Sequence, residues 1–304
     1  MSDTTESLSR QISGAGDLQS VVRTMKALAA SSIGQYEQSV RALTDYYRTV
    51  ELALRVCFRE YGPIPSRVHR KTRINPGVID AIVFGSDQGL VGQFNDVVAD
   101  YAVKTLGDLP GKCRVWAVGE RVQARLVDAG QELAGLFPVP NSVQAITALV
   151  GQILVEVEAH RGNGEDAPLW VFRNRPLARS LFEPVGERLL PLEEQWQRDR
   201  AKMKWPTVNL PQVMGDALLV LRAVIREYLF ISLFRACAES LASENASRLA
   251  AMERAEKNID ELLEQLHRSF HQLRQSGIDE ELFDVISGFE ALGGATERTS
   301  GGLK

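Results

Sequence analysis

DALLVLRAVIREYLFISLFRACAESLASENASRLAAMERAEKNIDELLEQLHRSFHQLRQ, residues Asp216–Gln275, contains no proline and no glycine. Ala, Leu, Glu, Gln and Arg dominate it, the residues that lose least on entering a helix. The stretch predicts one uninterrupted helix over Gly215–Ser276. At 1.5 Å per residue, about 60 residues span about 90 Å, several times an ordinary globular helix. A rod of that length does not fit inside one compact domain, so something must pack along it.

The spacing of apolar residues describes the packing face. Leu218, Leu221, Ile225, Leu229, Leu233 and Ala236 recur at threes and fours, and Leu241, Met252, Ile259, Leu262, Leu266, Phe270 and Leu273 continue the stripe. This is an amphipathic seam with a charged outer face. In its middle the seam turns small: Ala242, Ser243, Ala246, Ser247, Ala250 and Ala251. Small side chains let a second helix backbone approach closely, where an ordinary coiled coil has Leu. Gly277 is expected to end the rod with a left-handed cap. Asp279 then caps a short new helix carrying Leu282, Val285, Ile286, Phe289 and Leu292. The Gly/Ser/Thr-rich end, GGATERTSGGLK, is expected to be disordered.

Residues 4–60 predict a second long helix, with apolar positions at Leu8, Ile12, Ala15, Leu18, Val22, Met25, Leu28, Tyr36, Val40, Leu43, Tyr47, Val50 and Leu54. Gly14, Gly16 and Gly34 weaken it, each by about 1 kcal/mol relative to Ala; glycines on a seam also mark places where another helix comes close. Residues 61–77 read as a basic, proline-bearing linker. The middle changes character. Strands are predicted at Ile79–Phe84, Arg114–Val118, Leu133–Phe137 and Leu169–Arg173. Helices are predicted at Gln93–Thr105, Glu120–Asp128 and Ser142–His160, with edge strands over Leu181–Leu192. That alternation argues a small α/β domain with a largely parallel sheet. Residues 193–214 form a connector. The fold class is therefore α/β plus a long α-helical coiled coil, an antiparallel pair of N- and C-terminal helices. The divisions fall at 1–60, 77–192, 215–294 and a flexible tail 295–304.

Composition narrows the class. The chain has 304 residues, 44% hydrophobic and 24% charged, with a net charge of −4. No strongly basic field points to nucleic acid. Cys57, Cys113 and Cys237 lie far apart, which reads as structural thiols in a reducing compartment rather than a disulfide framework or zinc site. No apolar run approaches the roughly 18 residues that span a bilayer, and MSDTTESLSR has no secretory h-region. These features imply a cytoplasmic chain, with membrane association through partners.

Three local motifs resemble the gamma subunit of rotary ATP synthases. LSRQISGAGDLQSVVRTMKALAAS resembles that family's opening helix, with Ile12, Gln19, Val21, Met25, Lys26, Ala29, Ala30 and Ser31 in pattern. GSDQGLVGQFN resembles its strand-to-helix turn. ESLASENASRLAAMERAEKN and LRQSGIDEELFDVISGFEAL match most closely, with Ser243, Glu244, Arg248, Met252, Ala255, Asn258, Arg274, Gln275, Ile278, Glu281 and Gly288 in register. The resemblance covers nearly the whole chain and is strongest at its ends. Departures include Gln88 for the usual arginine, Val91 for cysteine, and Asp17 and Leu18 for asparagine and threonine. The foot sequence WPTVNLP lacks the usual tyrosines and glutamate, and these differences point to a divergent branch.

The resemblance implies a central-stalk rotor that transmits torque between a membrane ring driven by ion transport and a catalytic head, coupling ion flow to ATP synthesis or hydrolysis. Its implied partners are the alpha and beta head subunits, the epsilon subunit and the ring subunits. Its implied place is the cytoplasmic face of the cell membrane, as a peripheral part of the complex. Catalysis resides in the partners, and no cofactor or metal is implied. Arg274 and Gln275 are the implied contacts to the head, with Arg10, Met25 and Lys26 beside them on the other helix. Ser243, Glu244, Arg248, Met252 and Asn258 form the helix-packing motif.

Other chemistries fit less well. GSDQGLVG follows a strand and precedes a helix, as phosphate loops do, but it is neither the dinucleotide fingerprint nor a P-loop. A tight turn in which Gly85, Gly89 and Gly92 permit close backbone approach explains it more simply. His267 and His271 lie one turn apart without a third ligand, so a metal site is not indicated. Ser86 and Asp87 lack a histidine partner for nucleophilic chemistry. The alternative to a rotor is a coiled-coil adaptor whose α/β domain senses a nucleotide.

Overall fold

The structure, a computed structural model, describes residues 4–62, 77–161, 167–177, 182–209 and 211–300. The element order is α1 (Thr5–Tyr61), β1 (Val78–Phe84), α2 (Phe94–Gly107), β2 (Lys112–Val118), α3 (Glu120–Asp128), β3 (Leu133–Phe137), α4 (Val143–Arg161), β4 (Leu169–Pro176), β5 (Phe182–Leu190), α5 (Glu194–Ala201) and α6 (Ala217–Ser300). Most of the expected 61–77 linker lies outside the described residues. Among the described residues no helix is long and apolar enough to cross a membrane.

The sheet order is β3-β2-β1-β4-β5. β1, β2, β3 and β4 pair in parallel and β5 adds antiparallel to β4. Both faces are covered, which explains why β1 reads as an apolar run rather than an alternation. Ile82 and Phe84 face a core shared with Trp116, Ile146, Ile153, Leu54 and Leu233. Ala81 and Val83 face the other core, with Val98, Ala102, Val122 and Leu126. Asp80 is the exception in β1. It is fully buried, and Nε of Arg114, its neighbour across the parallel ladder, donates to it at 2.7 Å.

Two compact units divide the chain. Residues 27–251 hold the sheet, α2 to α5, and the portions of α1 and α6 that pack with them. There the two helices run antiparallel: Tyr46 donates to Glu227 at 2.5 Å, and Tyr47 and Tyr228 are neighbours at 6.1 Å. Within the expected connector, α5 places Trp196 against both Phe58 and Tyr228. Its Arg200 pairs with Glu51 of α1 at 2.9 Å. Residues 1–26 and 252–304 make the other unit. In it, Gln19 bonds to Asp260 and Lys26 to Glu256, again in antiparallel order.

Three sequence expectations change. The rod does not stop at Gly277: α6 passes through it and is helical to Ser300, so Asp279 caps no separate helix. Glycine costs a helix only about 1 kcal/mol, and one in a sequence of strong helix formers does not break it. A cap does exist at the other end. Asp216 Oδ1 accepts from the backbone N–H of Leu218 at 2.8 Å and of Leu219 at 3.2 Å. Lastly, Gly14, Gly16 and Gly34 are not close-approach positions, because an added Cβ would meet open space at each.

Gly85 is the opposite case. A Cβ there would lie 2.3 Å from Cβ of Val122 and 2.7 Å from Oδ1 of Asn95. Val122 Cβ cannot swing away, and Asn95 is held by its two bonds to Ser86. Gly85→Ala is expected to destabilise the chain by about 1–3 kcal/mol, as overpacking does, whereas Gly14→Ala is expected to stabilise it slightly. Denaturant midpoints of the two variants check this.

Candidate functional site

The loop after β1, GSDQGLVG, spends its polar groups on the fold. Asn95 Oδ1 accepts from the backbone N–H of Ser86 at 2.9 Å, and its Nδ2 donates to Ser86 Oγ at 2.8 Å. The Ser86 hydroxyl donates to the carbonyl of Gln88 at 2.9 Å. Asp87 takes one N–H on each oxygen, Glu120 at 3.0 Å and Val139 at 2.9 Å. A carboxylate therefore already caps the start of α3, where an anionic ligand would otherwise be drawn. Gly85 and Gly92 justify the close-turn reading, Gly92 at φ 57°; Gly89 does not, its nearest neighbour being an arginine tip at 3.9 Å.

Sheets of this topology open a crevice where the strand order reverses, here between β1 and β4. Helix α6 is bonded at that place. Ser247 Oγ donates to the carbonyl of Val91 in the loop after β1 at 2.6 Å. Ser243 Oγ donates to the carbonyl of Asn174 near the end of β4 at 3.1 Å. The small stretch of the rod thus admits the α/β domain, a partner the periodicity did not identify. Nucleotide sensing by this crevice is disfavoured, since the rod holds its carbonyls.

Beside the joint lies a cavity of about 220 Å³ lined by Tyr36, Asp87, Gln88, Glu244, Asn245 and Arg248. Arg248 Nη2 donates to Glu244 Oε1 at 2.6 Å. Burial raises the Glu244 carboxyl above the ordinary carboxylate value; Arg248 opposes the shift. Among the described residues no group of His, Cys, Asp or Glu is arranged to hold a metal. His267 and His271 are both exposed. Cys57 and Cys237 are buried free thiols, and burial raises both.

The expected contact residues are spread along the helices. Arg274 and Gln275 are exposed on α6 and Met25 is half-buried on α1. Lys26 donates to Glu256 Oε2 at 3.0 Å, while Arg23 donates to Oε1 at 2.9 Å. Arg10 pairs within its own helix, with Glu6 at 2.6 Å. At helical rise Arg10 and Lys26 stand about 24 Å apart, so no single pocket collects them. In the packing motif Ser243, Glu244 and Met252 are buried. Asn258 is exposed, so helix packing does not account for it. Sequence reasoning weighed Asp87 only for nucleophilic chemistry and passed over Arg173 and Glu239. The available signal was a charge inside an apolar strand, VFRN, and an acid inside a small-residue run, ACAES.

The sequence model of a family described as ATP synthase matches residues 4–292. The ATP synthase gamma chain of Nitrosomonas eutropha is 27% identical over 297 residues, covering 90% of this chain and 94% of that protein. That of Dechloromonas aromatica is 26% identical, covering 90% and 93%. Among solved structures, a chain in the mitochondrial ATP synthase of Euglena gracilis, described as OSCP/F1/c-ring in rotational state 3, aligns with a TM-score of 0.65. It is 16% identical and the alignment covers 99% of this chain and 97% of that chain.

Hydrogen bonds from Lys26 and then Arg23 hold the Glu256 carboxyl below its ordinary 4.5. A depressed carboxylate stabilises the fold above 4.5, and that contribution is lost as pH falls through the lowered value. Glu256→Gln is expected to speed amide exchange in residues 12–26 at neutral pH. The difference from the parent is expected to vanish well below pH 4.5. Hydrogen exchange of the full chain across that range checks both parts.

Proposed function

The chain belongs to the ATP synthase family whose model it matches over residues 4–292, and from that premise we propose that it is the central-stalk rotor subunit of such an enzyme. It carries torque between the catalytic head and the membrane ring; the ATP chemistry belongs to its partners. Solved chains of the same fold come from assemblies described as rotor, as central stalk with ring, and as OSCP/F1/c-ring, which supports association with both head and ring.

One observation carries the assignment of ends. Beyond Gln275 the described part of α6 is exposed all round. Ile278, Leu282, Phe283, Val285 and Ile286 are 45–69% exposed. An apolar helix of this kind requires a covering partner. The head subunits supply it in this reading, with Arg274 and Gln275 making polar contacts and Met25, Lys26 and Arg10 flanking them on α1. Met214, Leu218 and Leu219, exposed at 62–86%, mark the foot. In this reading the foot meets the ring and the epsilon subunit, at the cytoplasmic face of the cell membrane.

The test is co-expression with the catalytic and non-catalytic head subunits. A single copy per head, with ATP turnover that requires it, is the expected result; a chain that stays alone and binds nucleotide overturns the reading. In the assembled enzyme, Arg274→Glu with Gln275→Ala is expected to lower coupled turnover several-fold, the scale of a lost charge-assisted contact. The circular dichroism of the chain is expected to stay unchanged. Unaltered turnover would remove these two residues from the head contact.

A further inference from the structure

Arg173 is buried at 4% exposure in β4, between Phe172 and Asn174. Its guanidinium donates from Nε to Glu239 Oε2 at 2.7 Å and from Nη1 to Glu187 Oε2 at 3.1 Å. Glu239 lies on α6 at 5% exposure and accepts Nε of Arg235 at 2.7 Å on its other oxygen. The buried pair, Arg173 and Glu239, balances one charge against the other, while Glu187 and Arg235 reach it from the partly exposed rim. Glu239 is also the first of a row. Glu239, Ser243 and Ser247 follow at four-residue spacing, one face of α6. Each makes a polar bond into the α/β domain: to Arg173, to the Asn174 carbonyl and to the Val91 carbonyl.

Apolar contact alone is non-directional and allows packed surfaces to slide. A forked guanidinium on a buried carboxylate fixes direction as well as distance. Displacing it strands charges away from water, so the network has one strongly preferred arrangement. The apolar part of the sheet–helix contact, where Leu233 packs with Ile82 and Phe84, would repack after a small slip. The polar row would not.

Resting on the rotor reading, we propose that Arg173, Glu239, Ser243 and Ser247 are the torque joint of the subunit. They are positioning residues that lock the α/β domain to α6, so that load arriving at the domain turns the helix instead of sliding along it. Arg235 and Glu187 hold the joint's charges in place from either side.

The experiment uses the full chain in the membrane-assembled enzyme and compares Arg173→Met, Arg173→Lys and Glu239→Gln with the parent. ATP hydrolysis and ATP-driven ion pumping are measured on the same preparations. Arg173→Met and Glu239→Gln are expected to lower ions pumped per ATP hydrolysed while hydrolysis persists. Arg173→Lys, which keeps one charge-assisted bond, is expected to recover part of the ratio. Thermal midpoints of the purified chains provide the second measurement. A ratio that is unchanged in folded variants overturns the joint. So does a ratio that follows the midpoints and ignores whether a cation stands at 173. If the parent chain fails to assemble with the head, the rotor reading itself falls and the joint with it, a result distinct from an assembled enzyme with unaltered coupling.

Discussion

A helix of 84 residues carries an apolar stripe that it cannot bury against itself. One of the two cores is arranged by that constraint. Between Ala27 and Ala251 the stripe is covered by α1, α5, α4 and one face of the sheet, which together form a single core. In the other unit, among the described residues, the N-terminal part of α1 covers it, through Leu8, Ala15 and the pairs to Glu256 and Asp260. Past Gln275 the described side chains have no cover from this chain. Hydrophobic stabilisation scales with the area removed from water, so the cover diminishes toward the end that the rotor reading assigns to a partner.

The α/β domain shows how a ligand-binding topology can serve a mechanical part. Its switch point lies where such sheets hold nucleotides, and its first loop has the glycines of a phosphate-binding turn. Yet Asp87 occupies the start of α3, and Ser243 and Ser247 of α6 take the carbonyls at the strand ends. The crevice has become a seat for the rod. Fold and function separate here, since function follows the site and not the sheet order.

Much of the architecture was legible in the sequence because it rests on local periodicity. The boundaries of α3 and β3 were read at Glu120–Asp128 and Leu133–Phe137, where the structure has them. Both long helices, the mostly parallel sheet and the antiparallel pairing were legible for the same reason. The errors came where a local signal was weak. Gly277 looked like a stop, but glycine permits a left-handed cap without imposing one. Gly14, Gly16 and Gly34 looked like contact points, but whether a neighbour comes close is not a property of the glycine. The candidate site was less legible than the fold. Resemblance picked out Ser243 and Glu244, while their bonding to the α/β domain and to Arg248 was not in the pattern.

By itself the sequence determined two long amphipathic helices, an α/β domain between them and a family resemblance that the match over residues 4–292 establishes. Those properties depend on spacing within a helix or strand, which a chain carries with it before it folds. Only the tertiary structure decided what faces the small stretch of α6, that Arg173 reaches Glu239 across 66 residues, and that the phosphate-like loop is closed by its own Asp87. Those are meetings between distant segments. Burial turns each into a strong constraint, because a polar group removed from water must find its partner wherever the fold has placed one.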